Sequence, residues 1–154
     1  MKLQIFRVPE LKETEIIIRC HTIDAEVSAV SDFVRQFTVS VVCEENGIER
    51  RILACSICYA DTVDGKTFVY TKNQVLYCRE TLSALELKLK NTPVTRISKS
   101  CLLNTACLKS VQPYANHRLK AELSNGEALI VSRKYIESLK RKIQSEQSAG
   151  KEKK

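Results

Sequence analysis

The chain has 154 residues, 44% of them hydrophobic, and a formal net charge of +7. That is enough for one domain with a real core, and too apolar for a chain that stays disordered. No apolar run reaches the roughly 18–20 residues of a membrane span. Residues 1–9 lack the long apolar centre of a secretory signal, so a soluble, cytoplasmic protein is expected.

In chain order, residues 2–8 and 15–20 read as strands, separated by a polar, turn-like stretch from Pro9 to Thr14. Asp24 can cap a helix to about Phe37. Val27, Val30, Val34 and Phe37, with Phe33 beside them, give that helix one apolar face. This β-β-α extension, residues 1–37, is too short for an independent core. Its helix face needs a partner, either the rest of the chain or a second copy.

After Phe37 the pattern changes to short strands, at 38–43, 48–53, 55–61, 67–70 and 74–78. Asn46-Gly47 and Asp64-Gly65 supply positive φ cheaply and mark hairpins, and Lys72-Asn73 marks another turn. A helix runs from about Glu80 to Lys90, with Leu82, Leu85 and Leu89 on one face, and Pro93 ends it. Residues 94–97 are extended, and Leu102 and Leu103 are apolar just beyond a Ser-Lys-Ser loop. Residues 107–112 read as a strand stopped by Pro113. Strands 118–123 and 127–131 flank Asn125-Gly126, a third hairpin signal. A last helix covers 133–143, with Ile136, Leu139 and Ile143 as its stripe, and Ser132 is a natural N-cap for it. The polar residues 144–154 are expected to be a disordered tail. Short strands with closely spaced turns predict a mainly β (α+β) domain rather than a parallel α/β one.

The positive charge is localised. Residues 1–93 carry 12 Lys/Arg and 13 Asp/Glu, whereas residues 94–143 carry 10 Lys/Arg and 3 Asp/Glu. A concentrated basic field favours a polyanion partner. Within it, Ser98-Lys99-Ser100 and Ser132-Arg133-Lys134 set hydroxyls beside cations where strands give way to a loop or a helix. Such groups suit phosphate oxygens and base edges. An anion bound at Arg133 and Lys134 would offset the cost of cations at a helix N-terminus. The bland alternative pairs Arg133 with Glu137, one turn on.

Catalytic and metal chemistry find little support. The seven cysteines are odd in number, form no regular framework, and mostly sit among aliphatic residues, as reduced thiols in a core do. Cys55-Ser-Ile-Cys58 has metal-ligand spacing, but no second such pair follows. In a strand those two residues point to opposite faces. Ser98 and Ser100 have no adjacent base, and His117 sits in loop-like sequence. The four glycines form no phosphate-cradling loop. No enzyme, cofactor, metal site or small-molecule substrate is expected.

From Thr38 to Ile143 the chain resembles a LytTR DNA-binding domain. The similar stretches run in the family's order. They are Arg50 to Tyr59, Asp64-Gly-Lys-Thr-Phe-Val-Tyr-Thr71, Leu82-Ser-Ala-Leu-Glu-Leu-Lys-Leu89, Val94 to Asn104, Leu123-Ser-Asn-Gly-Glu127 and Val131-Ser-Arg-Lys-Tyr135. Many members have His-Arg-Ser where this chain has Ser98-Lys99-Ser100, a change that keeps a cation and a hydroxyl and removes an imidazole. The resemblance implies a DNA-binding domain at 38–143 whose loops enter successive major grooves. It implies base or backbone contacts for Lys99 and Arg133, a contact loop near Lys66, phosphate contacts for Ser98, Ser100 and Lys134, and a structural role for Asn104.

Residues 1–37 do not resemble a receiver domain, so control by phosphorylation is not expected. Stand-alone proteins of this layout resemble regulators paired with a small membrane protein, which implies inhibition by sequestration. The expected function is sequence-specific binding of double-stranded DNA in transcription regulation, with residues 24–37 mediating a homodimer. The alternatives are an RNA-binding protein, which would call for aromatic platforms, and a basic interaction module.

Overall fold

A computed structural model describes residues 1–150 of the chain. Its elements in order are α1 (Ala25–Arg35), β1 (Ser40–Glu45), β2 (Ile48–Leu53), β3 (Tyr59–Val63), β4 (Lys66–Tyr70), β5 (Val75–Cys78), α2 (Leu82–Lys88), β6 (Val94–Ser98), β7 (Cys101–Asn104), β8 (Leu108–Tyr114), β9 (Arg118–Leu123), β10 (Ala128–Val131) and α3 (Ile136–Gly150). The mainly β expectation holds.

The strands form two antiparallel sheets. One has seven strands in the order β2-β1-β5-β4-β3-β7-β6, and the other has three in the order β10-β9-β8. Each face of the large sheet is covered differently. Leu82, Leu85 and Leu89 of α2 pack on one face against Val41, Ala60, Val69, Leu76 and Leu102. The other face places Tyr59, Ile97, Cys101 and Leu103 against Ala121, Leu123 and Val131 of the small sheet and Leu139 of α3. Strand β7 lies between the two cores, and all four of its residues are buried. Period-2 alternation sends Leu102 to one core and Leu103 to the other.

The hairpin signals act as expected. Asn46 and Gly47 (φ 52° and 78°) and Asp64 and Gly65 (φ 51° and 74°) adopt left-handed conformations that close two-residue hairpins. Asn116 and His117, at φ 59° and 58°, belong to the three-residue turn that closes β8 to β9, which places His117 in a turn.

Several expectations are corrected. Residues 1–24 contain no strand, so the two N-terminal strands are absent and α1 is the extension's only regular element. Their β-branched residues meet no strand partner among the described residues, and an unpartnered strand pair is marginal in water. Helix α1 is capped by Asp24, whose side chain accepts from Val27 N at 2.9 Å. Its face is rotated from the expected one. Ala29 is buried, α1 packs on α3, and Phe33 and Phe37 stay exposed in an edge-to-face pair. The partner it needed is therefore α3, with Lys142 Nζ 3.6 Å from Asp32 Oδ2.

Residues 101–104 form a full strand. Strand β8 runs through Pro113, which is tolerated because β8 lies at the edge of its sheet. Cys55 lies in a 3-10 turn rather than a strand. Helix α3 continues through Gln144 to Gly150, so most of the expected tail is helical, and residues 151–154 of that tail lie outside the described residues.

Candidate nucleic-acid interface

Three segments distant in sequence meet at one end of the large sheet. Strand β3 rises into the Asp64-Gly65 turn, and β7 leaves the Ser98–Ser100 turn beside it, with Asp61 opposite Cys101. Thr62 N donates to Ser100 O at 2.9 Å, which extends that pairing into the turn itself. On the other flank, Ser132 N donates to Ile97 O at 2.9 Å, which fastens the end of β10 beside β6. The β6–β7 turn is thus the centre, between the β3–β4 hairpin and the junction from β10 to α3.

This arrangement places Lys66, Lys99, Ser100, Arg133 and Lys134 exposed along one edge, with Ser98 half-buried among them. Lys66, Lys99 and Arg133 pair with no carboxylate among the described residues, so the bland Arg133–Glu137 pair does not form. Lys134 Nζ stands 5.7 Å from the Tyr135 ring centroid. Elsewhere on the large sheet and α2, several cations are neutralised, as in Arg50–Glu45 at 3.2 Å, Arg79–Glu44 at 2.9 Å and Lys88–Glu80 at 2.6 Å, while Arg51 of β2 pairs with no carboxylate among the described residues. Four exposed cations from three segments thus share the edge where those segments meet.

The turn is braced from below. Arg96 is mostly covered, at 16% side-chain exposure. Its Nη1 donates to Lys99 O at 2.6 Å, its Nε to Glu86 Oε2 at 2.9 Å, and its Nη2 to Ser83 Oγ at 3.4 Å. One planar guanidinium thus ties the turn's backbone to α2. Ser98 closes the turn from within, accepting from Ser100 N at 3.2 Å. Ser98 Oγ also lies 3.5 Å from Ser100 Oγ, so the two hydroxyls pair across the turn.

Sequence reasoning counted Arg96 among the cations of the segment and missed its positioning role. The signal was the nearby acid Glu86, legible only once α2 is known to pack beneath β6. Arg96→Lys keeps the charge but loses the fork. It is expected to cost about 1 kcal/mol of stability and to speed amide hydrogen exchange at Ser100. Unchanged exchange there would show that Arg96 is not the brace.

Two other expectations meet the structure. Asn104 is fully buried and structural. Its Nδ2 donates to Ala54 O (3.3 Å) and Ile57 O (2.8 Å), and its Oδ1 accepts from Ala106 N (2.9 Å). Ser132 makes no side-chain cap. A 3-10 turn over Arg133–Tyr135 intervenes before α3, so the two cations precede the α-helix rather than open it.

Beneath the edge, Tyr59 and Tyr70 stack at 4.1 Å, and Tyr70 Oη donates to Asp61 Oδ2 at 3.3 Å. Burial raises the Asp61 pKa, opposed by the Tyr70 bond. Burial pushes the Cys101 thiol up to about 12, so it is a neutral core group. Among the described residues, no group of three His, Cys, Asp or Glu side chains is placed to hold a metal ion.

A sheet edge that projects two turns and a helix junction, each with an unpaired cation, matches a known module. The sequence pattern of the LytTr DNA-binding domain matches residues 50–144, well over half of the chain. The chain belongs to the LytTr DNA-binding domain family. A solved LytTr DNA-binding domain from Bacillus cereus superposes with a TM-score of 0.64 at 19% identity, covering 68% of this chain and 96% of that one. At that identity the likeness speaks to the fold. The sensory transduction protein LytT of Bacillus subtilis is 33% identical over 85 residues, 55% of this chain and 35% of its own length. The transcriptional regulatory protein LytR of Staphylococcus aureus (strain bovine RF122) is 28% identical over 114 residues, 74% of this chain and 46% of its own length. The chain thus spans between a third and a half of the length of these two relatives. No described helix of this LytTr-family chain is long and apolar enough to cross a membrane.

Proposed function

We propose that the chain regulates transcription by binding double-stranded DNA at a specific sequence, with its two turns and helix junction in the major groove. The observation that supports this most is the set of unpaired cations on three segments held together by backbone hydrogen bonds. Arg133 can fork onto guanine O6 and N7, while Lys99 and Lys66 act as point charges on bases or backbone. Ser98, Ser100 and Lys134 serve phosphate oxygens. An RNA reading has less support, because Tyr59 and Tyr70 stack on each other instead of forming an open platform.

The reading includes a homodimer, which doubles the contacts and fits repeated or two-fold sites. In that dimer residues 24–37 would act through the exposed Phe33 of α1 and Phe37 just after it, since the buried face of α1 is on α3. The test is a salt titration against duplex DNA and duplex RNA of one sequence. With four cations at the edge, log K should fall against log salt with a slope of about −3 to −4 per bound chain. DNA should be bound more tightly than RNA. Equal affinity for the two, or a flat salt response, overturns the reading.

A further inference from the structure

Residues 15–19 read Glu-Ile-Ile-Ile-Arg, a strand-forming sequence with no strand partner among the described residues. Ile16, Ile17 and Ile18 are 64%, 70% and 40% exposed. Three adjacent exposed isoleucines exceed the scattered apolar residues of an ordinary surface. Glu15 and Arg19 make no ion pair among the described residues.

We propose that residues 15–19 pair as an antiparallel strand with the same residues of a second copy, about a two-fold axis at Ile17. This deepens the homodimer part of the proposed reading and rests on it. The charges select the partner, the direction and the register. Antiparallel pairing about Ile17 sets Glu15 opposite Arg19 of the second copy, and Arg19 opposite its Glu15. Ile16 faces Ile18 in both directions, so the surface is complementary to itself, as a two-fold interface requires. Parallel in-register pairing sets like charges opposite each other, which is unfavourable. A slip of one residue breaks both ion pairs and moves the isoleucines to the wrong faces.

A two-stranded ribbon alone is marginal and needs apolar cover. Only five residues separate Arg19 from Ala25, the first residue of α1. The ribbon therefore forms within reach of the exposed pair of Phe33 on that helix and Phe37 in the turn after it.

The test is sedimentation of the full chain at micromolar concentration. The unaltered chain should be a dimer. Glu15→Arg and Arg19→Glu should each weaken dimerisation at least tenfold, because each sets like charges opposite at both ends. An equal mixture of the two variants should recover the dimer, and so should a chain carrying both changes. In a Cys20→Ser background, Ile17→Cys should oxidise to an intermolecular disulfide, since the two copies of position 17 meet on the axis. A monomeric unaltered chain, single variants that still dimerise, or a mixture that stays monomeric overturns the proposal. Binding of each variant to a duplex with one half-site is measured in parallel. Binding retained by a monomeric variant leaves the DNA reading intact, whereas binding lost by the dimeric unaltered chain defeats that reading and spares the strand pairing.

Discussion

Asn104→Leu is expected to remove about 3–5 kcal/mol of folding stability. The two side chains are close in volume, so the effect comes from hydrogen bonding rather than from a void. Asn104 is fully buried and serves three backbone groups, the carbonyls of Ala54 and Ile57 and the N–H of Ala106. With leucine the Ile57 carbonyl is left inside without that partner at about 1–3 kcal/mol, and the other two lost bonds cost about 1 kcal/mol each, because Ala54 O keeps Ile57 N and Ala106 is exposed. The carbonyls belong to the connection from β2 to β3, and the N–H to the connection from β7 to β8. One amide therefore holds two crossings of the fold. A domain of this size has a total stability of about 5–15 kcal/mol, so the variant should approach unfolding. Urea denaturation followed by circular dichroism measures this, and a loss under 1 kcal/mol would show that the amide is dispensable. Because β7 carries the Ser98–Ser100 turn, DNA affinity should fall in step with stability.

Arg133→Ala is expected to weaken binding to the preferred duplex by about 1–3 kcal/mol and to relax the preference at one base pair. Arg133 is exposed and pairs with no carboxylate among the described residues, on a junction fastened to the central turn through Ser132 N and Ile97 O. Lys134→Ala should act differently, weakening all duplexes alike and flattening the salt slope by about one unit. Its neighbour Tyr135 already draws the Lys134 ammonium toward the ring. Binding isotherms on the preferred duplex and on single-base variants separate the two roles. If both substitutions lower affinity without altering preference, Arg133 contacts phosphate only.

Much of the fold was legible because turns carry local chemistry. Asn46-Gly47 and Asp64-Gly65 announce hairpins through residues that accept positive φ, and Leu82, Leu85 and Leu89 announce one face of a helix. Strand β7 was less legible because Cys101-Leu-Leu-Asn104 is buried on both faces and shows no alternation. The opposite error arose at residues 2–8 and 15–20, where β-branched composition reads as strand but a strand also needs a neighbour. Helix α3 outruns its apolar stripe because residues beyond Ile143 are polar yet compatible with helix, and polarity alone does not separate an exposed helix from a disordered tail.

The site was legible by residue type and charge but not by assembly. Lys66 and Ser100 are brought together by β3–β7 pairing, a long-range contact with no local signature. Arg96 reads as one more cation until α2 is placed beneath it.

The most direct test of the central claim is selection of bound duplexes from a random pool, followed by guanine N7 methylation interference on the winners. Enrichment of one short motif, with interference at a guanine that becomes silent in Arg133→Ala, is the predicted result. A pool that stays random after repeated rounds, or a motif insensitive to major-groove methylation, would contradict sequence reading by these turns.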